Sequence, residues 1–421
     1  MLLLSTLSLA ACFTAAPEYY PPRPAVLSPP PPAYPAAPGV PARPAGTADK
    51  AAILLPLTGT HPELAEAMLK AARLALDTPG APVLDVKDTA GTPEGAAAAA
   101  QQAIAAGDRI MLGPLTAAET AAVAGPARAA GIPVLAFTSD PAQAKPGVWA
   151  LGLTPAQQVL RLVGAAQAKG KTRFGALLPD NEFGHLMAEA LDAAAAATPA
   201  ATPPTVRQYA PEMASMNQAV REIADYADRR GPIDARLRAA RERNDAEGHQ
   251  QAADLAHAPV PPPPFDALLL AASGQHLAEL GSLLPYYDVE PREVQILGPA
   301  LWAERAARAG AGKVLEGAWY AAPDPASRAP FTAQYGAKYG APPPSLADFA
   351  YDAAAIARVL APRGGYSVDA LTRPQGFAGV EGVFRLLPDG QVRRSLAVFE
   401  IRHGEPAVIE PAPQSLAGPA T

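Results

Sequence analysis

From Lys50 onward, short apolar runs alternate with Ala-rich segments of helical length. Apolar runs of roughly four to eight residues are typical of strands buried on both faces of a parallel sheet. In the first half of the chain the pattern predicts strands at 51–57, 83–86, 110–113 and 133–137, and helices at 62–76, 92–106 and 116–130. Pro62 and Pro93 fall in first helical turns, and Thr92 and Thr116 can cap these helices. We therefore expect a parallel α/β unit.

The same alternation restarts after Thr154, which can itself cap a helix. It predicts helices at 155–169, 182–197 and 275–284, and strands at 174–178 and 265–272. A second α/β series after the first indicates a second lobe of the same class.

A charged segment at about 213–264 interrupts the second series, and the proline run at 259–264 ends it. We predict one or two inserted helices here. Such a segment is usually a solvated face, but elements inserted into a common fold are also where new binding is added. The segment is therefore either a solvated face or a partner-binding surface. If it binds a partner, the candidate surface consists of Arg229, Arg230, Arg236, Arg238, Arg241 and Glu242.

The chain begins with an apolar run from Leu2 to Ala11, followed by Cys12, the only cysteine in 421 residues. The run is far shorter than the roughly 20 residues of a membrane span, but it fits the hydrophobic region of a signal peptide. Leu9-Ala-Ala-Cys12 resembles the bacterial lipobox. That resemblance implies that residues 1–11 are a cleaved lipoprotein signal peptide and that Cys12 carries the lipid. The alternative is a lone buried cysteine, and the absence of Lys or Arg before the run departs from usual export signals.

Residues 12–49 are dominated by proline tracts such as 29–32. Because proline lacks a backbone N–H and the segment has no hydrophobic pattern, it is expected to be an extended tether. Its proline-rich stretch at 16–46, about thirty residues, reaches on the order of 90 Å at about 3.1 Å per residue. It is either a stalk of functional length or a passive spacer. The net charge of −6 and the absence of a basic run argue against a nucleic-acid partner.

A series of sequence blocks carries a resemblance to a known fold. The blocks are 53–59, 88–96, 112–116, 131–140, 178–184, 350–353 and 376–382. In this order they resemble the type I periplasmic-binding-protein (leucine-binding-protein-like) fold, and within it the lipoproteins called penicillin-binding protein activators. The resemblance covers about 50–404.

The resemblance implies an α/β architecture of two Rossmann-like lobes joined by a three-stranded hinge, with a helical insertion in lobe two. The chain would cross between lobes near Gly152, Gly317 and Phe384. Lobe one would hold 50–151 and 318–382, and lobe two 152–317 and 383–404. Residues 405–421 would form a disordered tail.

The resemblance also implies a ligand cleft at the carboxyl ends of the strands, where helix amino termini offer amides to an anion. In amino-acid-binding relatives the matching turns hold the ligand carboxylate, and an aromatic side chain of lobe two covers it. The residues that match are Thr58, Thr116, Ala117, Thr138, Ser139 and Phe183. The alternative is that these Thr and Ser residues are only caps and turn formers.

One turn departs from the amino-acid-binding relatives. Where they place a carboxylate in a Gly-Pro-Glu turn to pair the ligand's ammonium group, this chain has Gly298-Pro299-Ala300. An ammonium group without a counter-charge in a dry cleft costs several kcal/mol. Tight binding of a free amino acid is therefore not expected.

Enzyme motifs are absent from the sequence. It contains no Ser-x-x-Lys, Gly-x-Ser-x-Gly, His-Glu-x-x-His or phosphate-loop pattern, and its six histidines show no paired metal-ligand spacing. We predict a non-catalytic protein without a cofactor or metal.

Three hypotheses follow. The first is a periplasmic lipoprotein, anchored to the outer membrane, that activates a peptidoglycan synthase (a penicillin-binding protein) through protein contact. The second is the substrate-binding lipoprotein of an ABC importer for amino acids, peptides or amides. The third is a degenerate binding fold with a structural role. Phe13, after the lipidated cysteine, fits the outer membrane by analogy with lipoprotein sorting in enteric bacteria.

Overall fold

The computed structural model of the protein describes residues 49–197, 202–243, 245–363 and 365–416. The expected signal peptide, Cys12 and nearly all of the tether lie outside these residues. The described residues form one compact unit. It contains two large sheets covered by helices, so the predicted two-lobed α/β fold is confirmed.

The first lobe is built on five parallel strands. They are β1 (Lys50–Leu55), β2 (Val83–Asp88), β3 (Met111–Leu112), β4 (Val134–Ala136) and β5 (Val148–Ala150), connected in part by α1 (Pro62–Ala75), α2 (Pro93–Ala106) and α3 (Ala117–Ala129). The order in the sheet is β2-β1-β3-β4-β5. The three strands β3, β4 and β5 are buried throughout. Burial on both faces explains why they read as unbroken apolar runs.

The second lobe begins with another parallel series. Its strands are β6 (Phe174–Pro179), β7 (Thr205–Tyr209), β8 (Ala267–Leu270), β9 (Gln295–Gly298) and β10 (Trp319–Ala322). Its helices are α4 (Pro155–Ala168), α5 (Glu182–Ala196), α6 (Met213–Ile223), α7 (Tyr226–Glu242), α8 (Ala246–Ala256) and α9 (Gly274–Tyr286).

The chain then returns to the first lobe. It forms α10 (Pro325–Tyr339), α11 (Ala347–Leu360), the short α12 (Val368–Leu371), and an antiparallel sheet of β11 (Phe377–Gly379), β12 (Gly382–Leu386) and β13 (Val392–Arg394). Phe377, Phe384 and Leu386 join the same hydrophobic core as β1 and α11. The small sheet therefore belongs to the first lobe.

The last two strands complete the second sheet. They are β14 (Ala397–Arg402) and β15 (Glu405–Glu410), and β14 pairs antiparallel to β10. The full order is β15-β14-β10-β9-β8-β6-β7. The expectation of a disordered tail is wrong for 405–410, because these residues form an edge strand of the sheet.

The crossings between lobes differ from the expectation at two of three places. The first, at 151–154, agrees with the predicted position near Gly152. The second follows Ala322 rather than Gly317, because β10 pairs with β9 and β14 in the second sheet. The third follows Arg394 rather than Phe384, because the β12–β13 hairpin packs on the first lobe.

The predicted insertion is smaller than expected. Helix α6 is part of the lobe, since its apolar face lies in the main core of the second sheet. Only α7 and α8 form an added hairpin, with a small core of its own made of Leu237, Ala240 and Leu255. The inserted unit therefore begins near Asp225, and 213–223 is ordinary α/β structure.

The predicted helix caps are present. The side chains of Thr92, Thr116 and Thr154 each accept a hydrogen bond from a backbone N–H of the first turn. Each satisfies one of the amides that a helix start leaves without a partner.

Asp108 is a buried carboxyl group at the opposite edge of the first sheet from the carboxyl ends of its strands. It precedes β3, and 2% of its surface is exposed. Burial, together with the charge of the neighbouring Asp85, raises the pKa of Asp108 to about 6. Since the folded-state pKa lies above the ordinary value, the protein loses stability as the pH rises from about 4 through about 6.

We expect Asp108→Asn to remove this loss because it eliminates the buried charge. At pH 8 the variant should gain on the order of 2 kcal/mol in the free energy of unfolding, and at pH 4 it should match the parent protein. Urea unfolding at both pH values measures this. Asp192→Asn, at an exposed position of α5, is the control, and an equal gain in both variants would contradict the interpretation.

Candidate functional site

The carboxyl ends of the first sheet carry four of the predicted cleft residues. Thr58 follows β1, Thr116 follows β3, and Thr138 and Ser139 follow β4, which are neighbouring parallel strands. The turns after β3 and β4 are joined, because Phe137 N–H donates to the carbonyl of Pro114 at 2.9 Å. The structure therefore brings these residues to one edge, as a parallel sheet requires.

Thr116 is already bound to a carboxylate of the protein itself. Its N–H and its hydroxyl donate to Glu119 Oε2 at 3.0 and 2.8 Å, and Glu119 N–H approaches the Thr116 hydroxyl at 3.3 Å. This capping box starts α3, and Ala117 is the first helical residue. The donors that were predicted to hold a ligand carboxylate at Thr116 are thus engaged by Glu119, whose side chain is fully buried.

Glu119 also joins the neighbouring turn. Its Oε1 accepts a hydrogen bond from the buried hydroxyl of Thr89, which follows β2. One carboxylate therefore ties the ends of β2 and β3 together.

Thr58 has a similar internal partner. Its hydroxyl donates to Asp88 Oδ2 at 2.6 Å, and its N–H donates to Asp88 Oδ1 at 3.3 Å. Burial opposes ionisation of Asp88, but the hydrogen bonds from Thr58 and from Ala90 N–H prevail and lower its pKa. This end of the site therefore presents an ionised carboxylate, and anions are repelled rather than attracted there.

Thr138 and Ser139 lie against the first crossing between lobes. The Thr138 hydroxyl accepts Asp140 N–H at 3.1 Å, and the Thr138 carbonyl accepts Gly152 N–H at 3.0 Å. A Cβ at Gly152 would lie 2.6 Å from both Thr138 O and Ser139 N, so only glycine fits. The Ser139 side chain is exposed.

The second lobe contributes Phe183 and the 298–300 turn. Phe183 is the second residue of α5 and packs half-buried on the core around β6. Ala300 N–H donates to Gln158 Oε1 at 2.7 Å, and the buried Trp302 donates its indole N–H to Ala272 O at 2.8 Å. The turn that lacks a carboxylate is thus engaged within the lobe.

Arg229 does not belong to a surface, and its prediction as a partner residue is wrong. It is 8% exposed, and its guanidinium donates to four backbone carbonyls. These belong to Pro261, Ala224, Tyr287 and Asp288. Arg229 therefore anchors the base of the hairpin to the lobe.

The remaining residues of the predicted partner surface divide into two groups. Arg230 is half-buried and pairs with Asp234 at 2.9 Å. The side chains of Arg236, Arg238, Arg241 and Glu242 are exposed. Helical spacing puts Arg238 and Arg241 next to each other on one face of α7.

A cavity of about 590 Å³ lies at the base of the hairpin. Its lining includes Arg207, Asn217, Arg221, Glu222 and Tyr226. Arg207 pairs with Glu222 at 3.5 Å, and Asn217 accepts the hydroxyl of Tyr287. Three of these polar side chains, Arg207, Asn217 and Glu222, already bind other groups of the protein, so we interpret the cavity as a gap between the lobe and the hairpin.

A sequence model of the periplasmic binding protein family matches residues 50–406. The chain belongs to the periplasmic binding protein family. The match covers both lobes and all three crossings, in agreement with the fold. None of the curated proteins matches the sequence.

Solved structures with this fold include both transport proteins and a regulator. A protein of Rhodospirillum rubrum described as a branched-chain amino acid ABC transporter superposes with a TM-score of 0.67 at 20% identity, covering 86% of this chain and 100% of that one. The C-domain of LpoA from Haemophilus influenzae, described as a regulator of PBP1A, gives 0.59 at 19% identity, with 86% and 100% coverage. Full-length LpoA gives 0.59 at 17% identity, with 86% and 59% coverage.

At these identities the likenesses show the fold alone.

Among the described residues, His, Cys, Asp and Glu form no cluster of three or more that could hold a metal ion. No helix within those residues is long and apolar enough to cross a membrane.

We expect Glu119→Ala to destabilise the protein strongly. The change leaves the Thr116 N–H and the buried Thr89 hydroxyl without their acceptor, at a cost of about 2–4 kcal/mol for the two groups. Urea unfolding measures it. The control is Glu94→Ala, which removes an exposed glutamate from the first turn of α2. A loss below 1 kcal/mol, on the order of a single surface change, would show that Glu119 is not the partner these groups depend on.

Proposed function

We propose that this protein is a non-catalytic, lipid-anchored periplasmic regulator that activates a peptidoglycan synthase, a penicillin-binding protein, through protein contact. The observation that carries the proposal is the engagement of Thr116 by Glu119. A receptor for amino acids needs these donors for its ligand, whereas a regulator that works through its surface does not. The similarity to the LpoA C-domain, which is described as a regulator of PBP1A, supports the same function.

A second candidate function is the substrate-binding lipoprotein of an ABC importer for amino acids, peptides or amides. It is favoured by the superposition with the Rhodospirillum rubrum protein, whose whole length is covered. In that function Thr58, Ala117, Thr138, Ser139 and Phe183 would contact the ligand. The missing carboxylate at Ala300 and the ionised Asp88 weigh against an amino acid in the usual orientation.

The partner surface that we propose consists of the exposed side chains of α7, with Arg238, Arg241 and Glu242 on one face and Arg236 outside that face. Guanidinium groups bind carboxylates through two parallel hydrogen bonds, so this face suits an acidic patch on the synthase. Arg229 supports the surface from below by holding the hairpin in place. The anchor proposed for the chain is a lipid on Cys12, inserted in the outer membrane, with the Pro-rich tether providing reach.

We expect the full chain from residue 12, with Cys12→Ser to keep it unlipidated, to retain a penicillin-binding protein from solubilised envelope proteins. A fluorescent β-lactam labels the retained band. Arg238→Glu and Arg241→Glu should each reduce the band about tenfold, equivalent to about 1.4 kcal/mol, because each places a negative charge against the acidic patch of the synthase. Arg292→Glu, at an exposed site outside the hairpin, should leave the band unchanged.

The same experiment separates the two functions. All variants are first compared by circular dichroism, so that loss of folding is not mistaken for loss of binding. If no labelled band appears while an amino-acid or peptide panel raises the melting temperature in proportion to RT ln(1 + [L]/Kd), the receptor function replaces the regulator.

A further inference from the structure

A cluster of buried charges lies where the chain passes between lobes. Arg394 is the last residue of β13, directly before the third crossing, and its side chain is 1% exposed. Its Nη2 donates to the carbonyl of Leu151 at 2.9 Å, at the start of the first crossing. A single side chain therefore connects two of the three segments that join the lobes.

Two carboxylates face this arginine. Glu381, between β11 and β12, places Oε2 at 3.1 Å from Arg394 Nη1, and Asp352 of α11 places Oδ2 at 4.0 Å from the same atom. Asp352 also accepts Val380 N–H at 2.7 Å. Both acids are buried, with 6% and 2% of their surfaces exposed.

Aromatic rings keep water away from the cluster. The guanidinium carbon of Arg394 lies 5.0 Å from the ring centre of Phe384 and 5.6 Å from that of Phe349. Gly379 lets the backbone reach Asp352, because a Cβ at Gly379 would overlap the Asp352 carboxylate. In such a setting an unbalanced charge is costly.

The charges do not balance when all the acids are ionised. The neighbouring Asp348 is held by Arg328 through two hydrogen bonds, at 2.6 and 3.0 Å. The groups that face one another from α10, α11, the β11–β12 turn and β13 are thus three carboxylates, Asp348, Asp352 and Glu381, and two guanidinium groups, Arg328 and Arg394. One bound proton makes the cluster neutral.

Two buried carboxylate oxygens of the cluster can bind that proton. Asp352 Oδ2 and Glu381 Oε2 are buried and accept no hydrogen bond of good geometry. Burial raises the pKa of Asp352 and of Glu381 to about 7 each, although Arg394 opposes the shift.

We propose that Arg394, Glu381 and Asp352 form a proton-linked clamp on the hinge, in which one proton carried by either of the two carboxylates secures the first and third crossings. The clamp is independent of what the protein binds. Because the folded-state pKa values lie above the ordinary ones, its contribution is complete below about pH 4 and is lost as the pH rises through about 7. Between pH 6 and pH 8 the crossings should therefore loosen.

Hydrogen exchange of the full chain tests the clamp. Peptides containing 151–154 and 394–397 should show about tenfold less protection at pH 8 than at pH 6, after correction for intrinsic exchange, as expected for one proton with a pKa near 7. Peptides from β6 serve as the internal reference and should not change by this factor.

Three variants decide the assignment. Asp352→Asn and Glu381→Gln each remove the excess charge, so the tenfold change should vanish in both, and either one serves if the other does not fold. Asp108→Asn removes a titrating carboxyl group away from this cluster and should retain the change. A pH effect that is absent in the parent protein, that persists in both hinge variants, or that is equally large in β6 would overturn the proposal.

Discussion

Burial of both faces of each parallel sheet is the constraint on which the rest of the structure depends. A strand such as β4 offers no polar side to water, so helices must cover it above and below. The chain builds two such sheets. The last strands and helices of each lobe come later in the sequence than segments of the other lobe. Three crossings follow from this arrangement: the first lobe is complete only at β13, and the second only after β14 and β15.

The strength of the local apolar pattern explains which elements could be predicted from the sequence. The predicted strands and helices between 50 and 197 agree closely with the structure, because the caps, the prolines and the hydrophobic runs indicate the same elements. The short edge strand β5 in this region was not predicted. The apolar pattern is weaker in the edge strands β7 and β15 of the second sheet. The segment at 205–209 has only one buried residue, Tyr209, and β15 has none, so neither shows an unbroken apolar run.

The assignment of β12 and β13 shows a different limit. The two strands are joined by a turn at Pro388-Asp389-Gly390, residue types that favour turns. Which lobe this hairpin packs against depends on partners distant in the chain, such as Trp149, whose indole N–H donates to Leu387 O at 2.7 Å. No local pattern contains that contact. In the site, the spacing Thr116-x-x-Glu119 is a capping-box signal that was available in the sequence, whereas the link from Glu119 to Thr89 requires the fold.

The anchoring of the inserted hairpin by Arg229 makes the hairpin difficult to lose during evolution. Three of the four carbonyls it satisfies, those of Ala224, Tyr287 and Asp288, belong to the lobe and not to the insertion. Deleting α7 and α8 alone would strip the lobe of these hydrogen bonds and expose Tyr287, which is now 6% exposed. Loss of the hairpin therefore has to be accompanied by remodelling of the loop after α9, so a lineage that has acquired it is expected to keep it.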